Sequence, residues 1–199
     1  MGFSEAETYG TVSNLVRRGV DVVSGVKHLL EHCDALSPSA VWREVAELDF
    51  AADADYLKRW LHELLETEPP EDGIVAFWFG MFDEAGEDGR SFTRLYLAGA
   101  PSYDPDDETA HWACKLAYLP QGRYADSQVL RYVSAILGAA GKEVSGLGLY
   151  VLPLGYAALA LGEACRRLPP HLLLGRRASR AAAIGFDSGD FVTLPSINR

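Results

Sequence analysis

From Ile74 to Phe82 the chain carries no charge and is rich in aromatic residues (Phe77, Trp78, Phe79, Phe82). A strand that is apolar on both faces has to lie inside a sheet rather than at its edge. The sequence therefore predicts a central strand over 74–82. The segment Asp83 to Gly89 is a polar turn, and Ser91 to Leu97 then alternates, so the two read as a hairpin closed by a long acidic loop. Trp112 to Leu119 reads as a third strand. Ala183–Phe186 and Phe191–Leu194 flank Asp187-Ser188-Gly189-Asp190 and read as a C-terminal hairpin.

The remaining segments have helical spacing. From Val12 to Cys33, the apolar residues Val16, Val20, Val23, Val26, Leu30 and Cys33 recur at helical intervals. Ser37-Pro38-Ser39 offers a start for a second helix, with Val41, Trp42, Val45 and Leu48 on its apolar face. Tyr56, Leu57, Trp60, Leu61, Leu64 and Leu65 form the stripe of a third helix, which Pro69-Pro70 stops. Ser127 to Leu137 is a helix ended by Gly138. Pro153 is read as opening a further helix through Arg167.

Val144 to Gly162 is uncharged and long enough to span a membrane. Gly146, Gly148, Gly155, Gly162 and Pro153 oppose a single spanning helix, so a buried strand or loop followed by a core helix is expected. Gly155, Ala158 and Gly162 would let another backbone approach closely.

Helices and hairpins are thus segregated along the chain. This predicts one α+β domain over residues 1–199: an antiparallel sheet of about five strands with helices packed mainly on one face. Its parts are a helical segment 12–68, a hairpin and strand 74–119, helices 127–168 and a hairpin 183–194. At 199 residues and 48% hydrophobic, the chain can bury a sizeable core unaided.

The formal net charge is −10, unevenly spread. Residues 1–110 hold 8 Lys/Arg and 23 Asp/Glu, a balance of −15, while residues 111–199 hold 10 and 5, a balance of +5. This argues against nucleic acid as a partner, because phosphates require cations. It suits a protein partner with a basic surface. The start, Met1 to Glu7, lacks the basic and apolar regions of a secretory signal, and Ala6 stands where N-myristoylation wants Ser or Thr. Cys33, Cys114 and Cys165 are far apart and odd in number, as expected of free thiols in the cytoplasm.

Motifs that could carry chemistry are sparse. His28-Leu29-Leu30-Glu31-His32 fits H-x-x-E-H, a zinc-peptidase pattern. A helical wheel turns both imidazoles away from the apolar stripe and into solvent, so no metal is expected there. The acidic loop Tyr103 to Glu108 lacks the spacing of a calcium loop. Gly138 to Glu143 has Glu143 where a phosphate loop needs Ser or Thr. In a strand, His111 and Cys114 would point to opposite faces, which removes them as a catalytic pair. Arg166, Arg167, Arg176, Arg177 and Arg180 form a basic cluster suited to pairing with the protein's own acids or to an anion.

These readings lead to a non-enzymatic, cofactor-free, acidic protein-binding module, comparable as a class to toxin-immunity proteins. Its partner-binding residues would be Glu63, Glu66, Glu68, Glu71, Asp72, Asp83, Glu84, Glu87 and Asp88, grouped at the helix–strand junction. The alternative is a small-ligand binder or enzyme with an aromatic pocket built from Trp78, Trp112, Tyr118, Arg123 and Tyr124.

Overall fold

A computed structural model describes residues 5–86, 89, 91–107, 109–187 and 189–199. The expected single helical run from Val12 to Cys33 is two helices, α1 (Glu5–Arg17) and α2 (Val22–Leu36). Gly19 adopts φ +65°, a left-handed conformation that breaks the first helix. Asp21 caps the second by accepting from the Ser24 amide at 3.0 Å. The break changes the phase of the stripe. Leu29 is buried, and Val23, assigned to the apolar face, is 57% exposed.

Helices α3 (Val41–Ala46) and α4 (Phe50–Thr67) follow as expected. Strands β1 (Ala76–Ala85) and β2 (Ser91–Ala100) form the antiparallel hairpin, with Phe79 opposite Leu97. Trp112 to Leu119 is not a strand. His111–Cys114 is a 3-10 helix, and only Tyr118 bridges Gly99. The third strand is the short β3 (Tyr124–Ala125), paired with β2. Asp107 explains the difference: its carboxylate accepts from the Thr109 and His111 amides at 2.9 and 2.6 Å and so winds the segment into a turn.

Helix α5 (Gln128–Gly138) starts at Ser127, whose hydroxyl accepts from the Leu130 amide. Helix α6 (Lys142–Arg167) begins eleven residues before Pro153 and holds that proline in its interior. The glycines counted against it are contact points. A Cβ on Gly155 would lie 2.4 Å from Leu29 of α2, and one on Gly148 would lie 2.7 Å from Leu137 of α5. Close packing thus outweighs intrinsic propensity. By length and composition α6 could cross a membrane, but 72% of its apolar window is buried within the protein.

After α7 (Pro170–Leu174), strands β4 (Ser179–Phe186), β5 (Phe191–Thr193) and β6 (Ile197–Asn198) complete a six-stranded sheet of order β3-β2-β1-β4-β5, with β6 on β4. The sheet is mixed rather than purely antiparallel, because β1 and β4 are parallel, Phe79 beside Ile184. A parallel neighbour requires a long crossover, and α5 to α7 supply it. β1 is central, as expected.

Alternate residues of β1 join two different clusters. Phe77, Phe79 and Met81 enter the main core with residues of every long helix. Ala76 and Trp78 enter a smaller one with Ala100, Ala110, Trp112 and Ala183.

Candidate aromatic face and cavity

The Trp78 side of β1 is lined by small residues. Gly80 pairs with Gly185 on β4, and Trp78 pairs with Ala98 on β2 and with Ala183 on β4. Rings can therefore lie flat on the backbone. A Cβ on Gly80 would fall 2.1 Å from the Tyr96 ring, so that ring covers the glycine directly.

An aromatic stripe follows. Tyr103 packs on Trp112 (ring centroids 5.1 Å), Trp112 on Trp78 (5.9 Å), and Trp78 on Phe191 (6.2 Å). The Trp78 indole also lies beside the Tyr96 hydroxyl, which donates to Asp187 at 2.8 Å. Burial, reinforced by Asp187, pushes the Tyr96 pKa up. Tyr96 and Phe82 then lead to Tyr124, at 6.1 and 6.0 Å respectively. Arg94 and Arg123 stack over the Tyr124 ring at 4.9 and 4.7 Å. Nη1 of Arg94 also donates to both carboxylate oxygens of Glu84, at 2.9 and 2.6 Å.

At the Trp112 end lies an open cavity of about 590 Å³. Four segments distant in sequence build it: Tyr9 from α1, the loop from Tyr103 to Trp112, Tyr150 from α6, and Gly189 to Thr193 around β5. Tyr9 donates its hydroxyl proton to the Phe191 carbonyl, which ties α1 to β5. Asp104, Asp107 and Asp190 complete the wall. Asp107 is held well below the usual carboxylate range, chiefly by the Thr109 hydroxyl. The Tyr9 and Tyr103 hydroxyls are raised, first by burial and then by the charges of Asp190 and Asp104 respectively.

The predicted pocket residues divide accordingly. Trp78, Trp112, Arg123 and Tyr124 lie along the stripe, with only Trp112 in the cavity wall. Tyr118 is elsewhere, packed on Phe77 and donating to the Glu68 carbonyl at 2.6 Å. Tyr9, Tyr150 and Phe191, which also line the cavity, stand outside the residues expected from sequence. The glycine and alanine pattern of β1 and β4 was the available signal for the face, and no local pattern marked the cavity.

The predicted acidic junction is in large part engaged internally. Glu68 accepts from the Gln121 and Gly122 amides, Asp72 pairs with Arg176, and Asp83 accepts from the Thr93 hydroxyl at 3.3 Å. Glu66 is 3.8 Å from His62. Glu63 and Glu71 are exposed, while Glu87 and Asp88 lie outside the described residues. Asp72 precedes β1 and Glu84 lies near its far end, and the strand from Ala76 to Glu84 alone spans roughly 26 Å at about 3.3 Å per residue.

The two amides, Gly122 first, hold the Glu68 carboxyl below its ordinary range. A depressed carboxyl contributes stability above its unfolded pKa and loses it as pH falls through the folded one. The stability advantage of the native protein over a Glu68→Gln variant should therefore shrink below about pH 4. Urea midpoints measured between neutral pH and pH 3 check this, and an advantage independent of pH would contradict it.

The basic cluster splits in two. Arg167 pairs with Glu163 at 2.9 Å, whereas Arg176, Arg177 and Arg180 gather around residues 72–74, Arg176 on the Asp72 carboxylate and Arg177 donating to the Ser179 and Asp72 carbonyls. Arg180 is buried, donates to the Ile74 and Leu173 carbonyls and stacks on Phe77. His28 is exposed and its Nδ1 bonds the Ser24 carbonyl oxygen, whereas His32 is half-buried with Nε2 at 3.3 Å from the Thr8 hydroxyl. Among the described residues no three His, Cys, Asp or Glu side chains converge as a metal site.

The 3-10 turn puts His111 and Cys114, at i and i+3, on one side of that short helix rather than on opposite faces of a strand. Neither lines the cavity. Burial pushes the Cys33 and Cys165 thiols up to about 12, so both stay protonated at neutral pH. Titration of the native protein with a thiol reagent should label Cys114 quickly, with the other two reacting only on unfolding. Three fast thiols would contradict the burial.

Comparison of the chain with protein-family models, curated proteins and solved structures finds no match.

Proposed function

We propose that this chain is a non-enzymatic, acidic, cytoplasmic protein-binding module that docks a partner with a basic surface. It would act as toxin-immunity proteins do, by occupying the partner's surface. In this reading the helices pack mainly on one side of the sheet, and the Arg123–Tyr124 end of the other side is left to the partner. The exposed end of the aromatic stripe, Tyr124 (39% exposed) beneath Arg94 and Arg123, carries the proposal. Tyr, Trp and Arg are the residues that dominate interface cores and hot spots. Edge-on packing of Tyr124 against Phe82, with Arg94 and Arg123 over its ring, fixes the side chain in advance, which lowers the entropy lost on binding.

Other features favour the same reading. The net charge of −10 steers a basic partner toward the protein. The exposed Glu63, Glu66 and Glu71 add to that field. The ionisable groups along the stripe are engaged in internal pairs, Arg94 with Glu84 and Tyr96 with Asp187, which suits recognition more than proton transfer. A second reading, a binder of small ligands, is favoured by the cavity at Trp112.

The test is affinity capture from the native host with the wild-type chain and with an Arg123→Ala/Tyr124→Ala variant. The expected result is a basic protein whose affinity falls about thirtyfold or more in the variant, the scale of a hot spot. Rising salt should slow its association. Equal affinity of both forms for the captured protein would refute docking on this face.

A further inference from the structure

We infer that the cavity between α1, the 103–112 loop, the N-terminal half of α6 and β5 is a binding site for an organic cation, an alkylammonium or guanidinium group. Five aromatic rings wall it: Tyr9, Tyr103, Trp112, Tyr150 and Phe191. Ring faces attract cations through the quadrupole, and cages of several rings are the recurrent solution for ammonium groups. Tyr9 and Tyr103 act as neutral rings, because burial raises their hydroxyl pKa.

The charge of the wall selects among ligands. Its described residues include Asp104, Asp107 and Asp190 and no Lys, Arg or His. An anion would face three carboxylates without a counter-charge. An apolar ligand would dehydrate those carboxylates and offer nothing in return. A bare metal ion is poorly served, since among the described residues no three carboxylate, imidazole or thiol groups converge to hold one. A cation carried on an organic body satisfies rings and carboxylates together. At about 590 Å³ the cavity is of ordinary ligand size, larger than a bare ammonium head requires. The ligand is thus a cationic head on a longer body, either a basic side chain of the proposed partner or a free amine.

The test uses the full chain and defined probes. Choline, N-acetyl-lysine amide and N-acetyl-arginine amide are titrated against tryptophan fluorescence and ligand NMR shifts, alongside the neutral isostere of choline, 3,3-dimethylbutanol. At least one cationic probe should bind at least tenfold more tightly than the isostere. Asp190→Asn, at an exposed turn, should weaken it several-fold. Trp112→Leu should abolish it, and Trp112→Phe, which keeps a ring, should restore part of it. Circular dichroism on each variant separates lost binding from lost folding. Equal binding of cation and isostere, or no binding by any cationic probe, overturns the inference.

The inference deepens the proposed docking reading at one end of the same face, yet the small-probe titration does not depend on a partner. Competition then distinguishes the two sources. Displacement of the captured protein by a cationic probe assigns the cavity to the partner's side chain. Probe binding that leaves the captured protein in place assigns it to a free amine.

Discussion

Replacing Phe79 with Ala should lower the unfolding free energy by about 3–5 kcal/mol, the range for a large aromatic side chain removed from a closed core. Phe79 is 0% exposed and lies at the centre of the sheet, between Leu97 on β2 and Ile184 on β4. Its ring is 6.3 Å from that of Phe77. Both flanking strands are fixed by backbone ladders, so the core cannot collapse easily into the space left behind. Urea unfolding at neutral pH measures the loss. Phe79→Leu, which keeps most of the volume, should cost much less. A loss below 1 kcal/mol for the alanine variant would show that this part of the sheet is loosely packed.

Asp53→Ala should cost about 2–4 kcal/mol, because it strands buried donors worth about 1–3 kcal/mol each. Asp53, on α4, is 7% exposed and receives three hydrogen bonds. They come from the Ser127 hydroxyl at 2.6 Å, the Gln128 amide at 2.8 Å and the Tyr156 hydroxyl at 2.6 Å. The carboxylate also faces the N-terminus of α5, where negative charge is favoured. It thus joins α4, α5 and α6 through one buried group. Tyr156→Phe alone should cost about 1 kcal/mol, the scale of one net hydrogen bond. In the Asp53→Ala/Tyr156→Phe double variant the losses should be smaller than additive, since the second change removes a donor that the first left unpaired. Strict additivity in the cycle would mean that the hydroxyl does not depend on Asp53.

Where sequence patterns were local, they carried through to the fold. The uncharged aromatic run became β1 at the centre of the sheet. The stripe from Leu57 to Leu65 became the buried face of α4, and Ser127 became the cap of α5. The errors came where a long-range contact overruled a local signal. Gly148, Gly155 and Pro153 argued for an interrupted segment, yet Leu137 and Leu29 fill the space above the two glycines and the helix runs through. The acidic loop before Trp112 carries no structural motif in its spacing, yet Asp107 folds the following segment into a 3-10 turn that carries Trp112 onto Trp78.

The sequence by itself determined that this chain forms long amphipathic helices and an aromatic central hairpin, because periodicity and capping act over a few residues. It also determined the acidic balance and the separation of the three cysteines. Only the tertiary structure decided that β4 lies parallel to β1, since strand order depends on how α5 to α7 carry the chain back. It alone decided that the Trp78 side of the sheet bears a stripe of rings, where Gly80 and Gly185 leave room for them. The cavity belongs wholly to that level: Tyr9, Trp112, Tyr150 and Phe191 have no common pattern in the chain, and packing around the sheet edge is what brings their rings together.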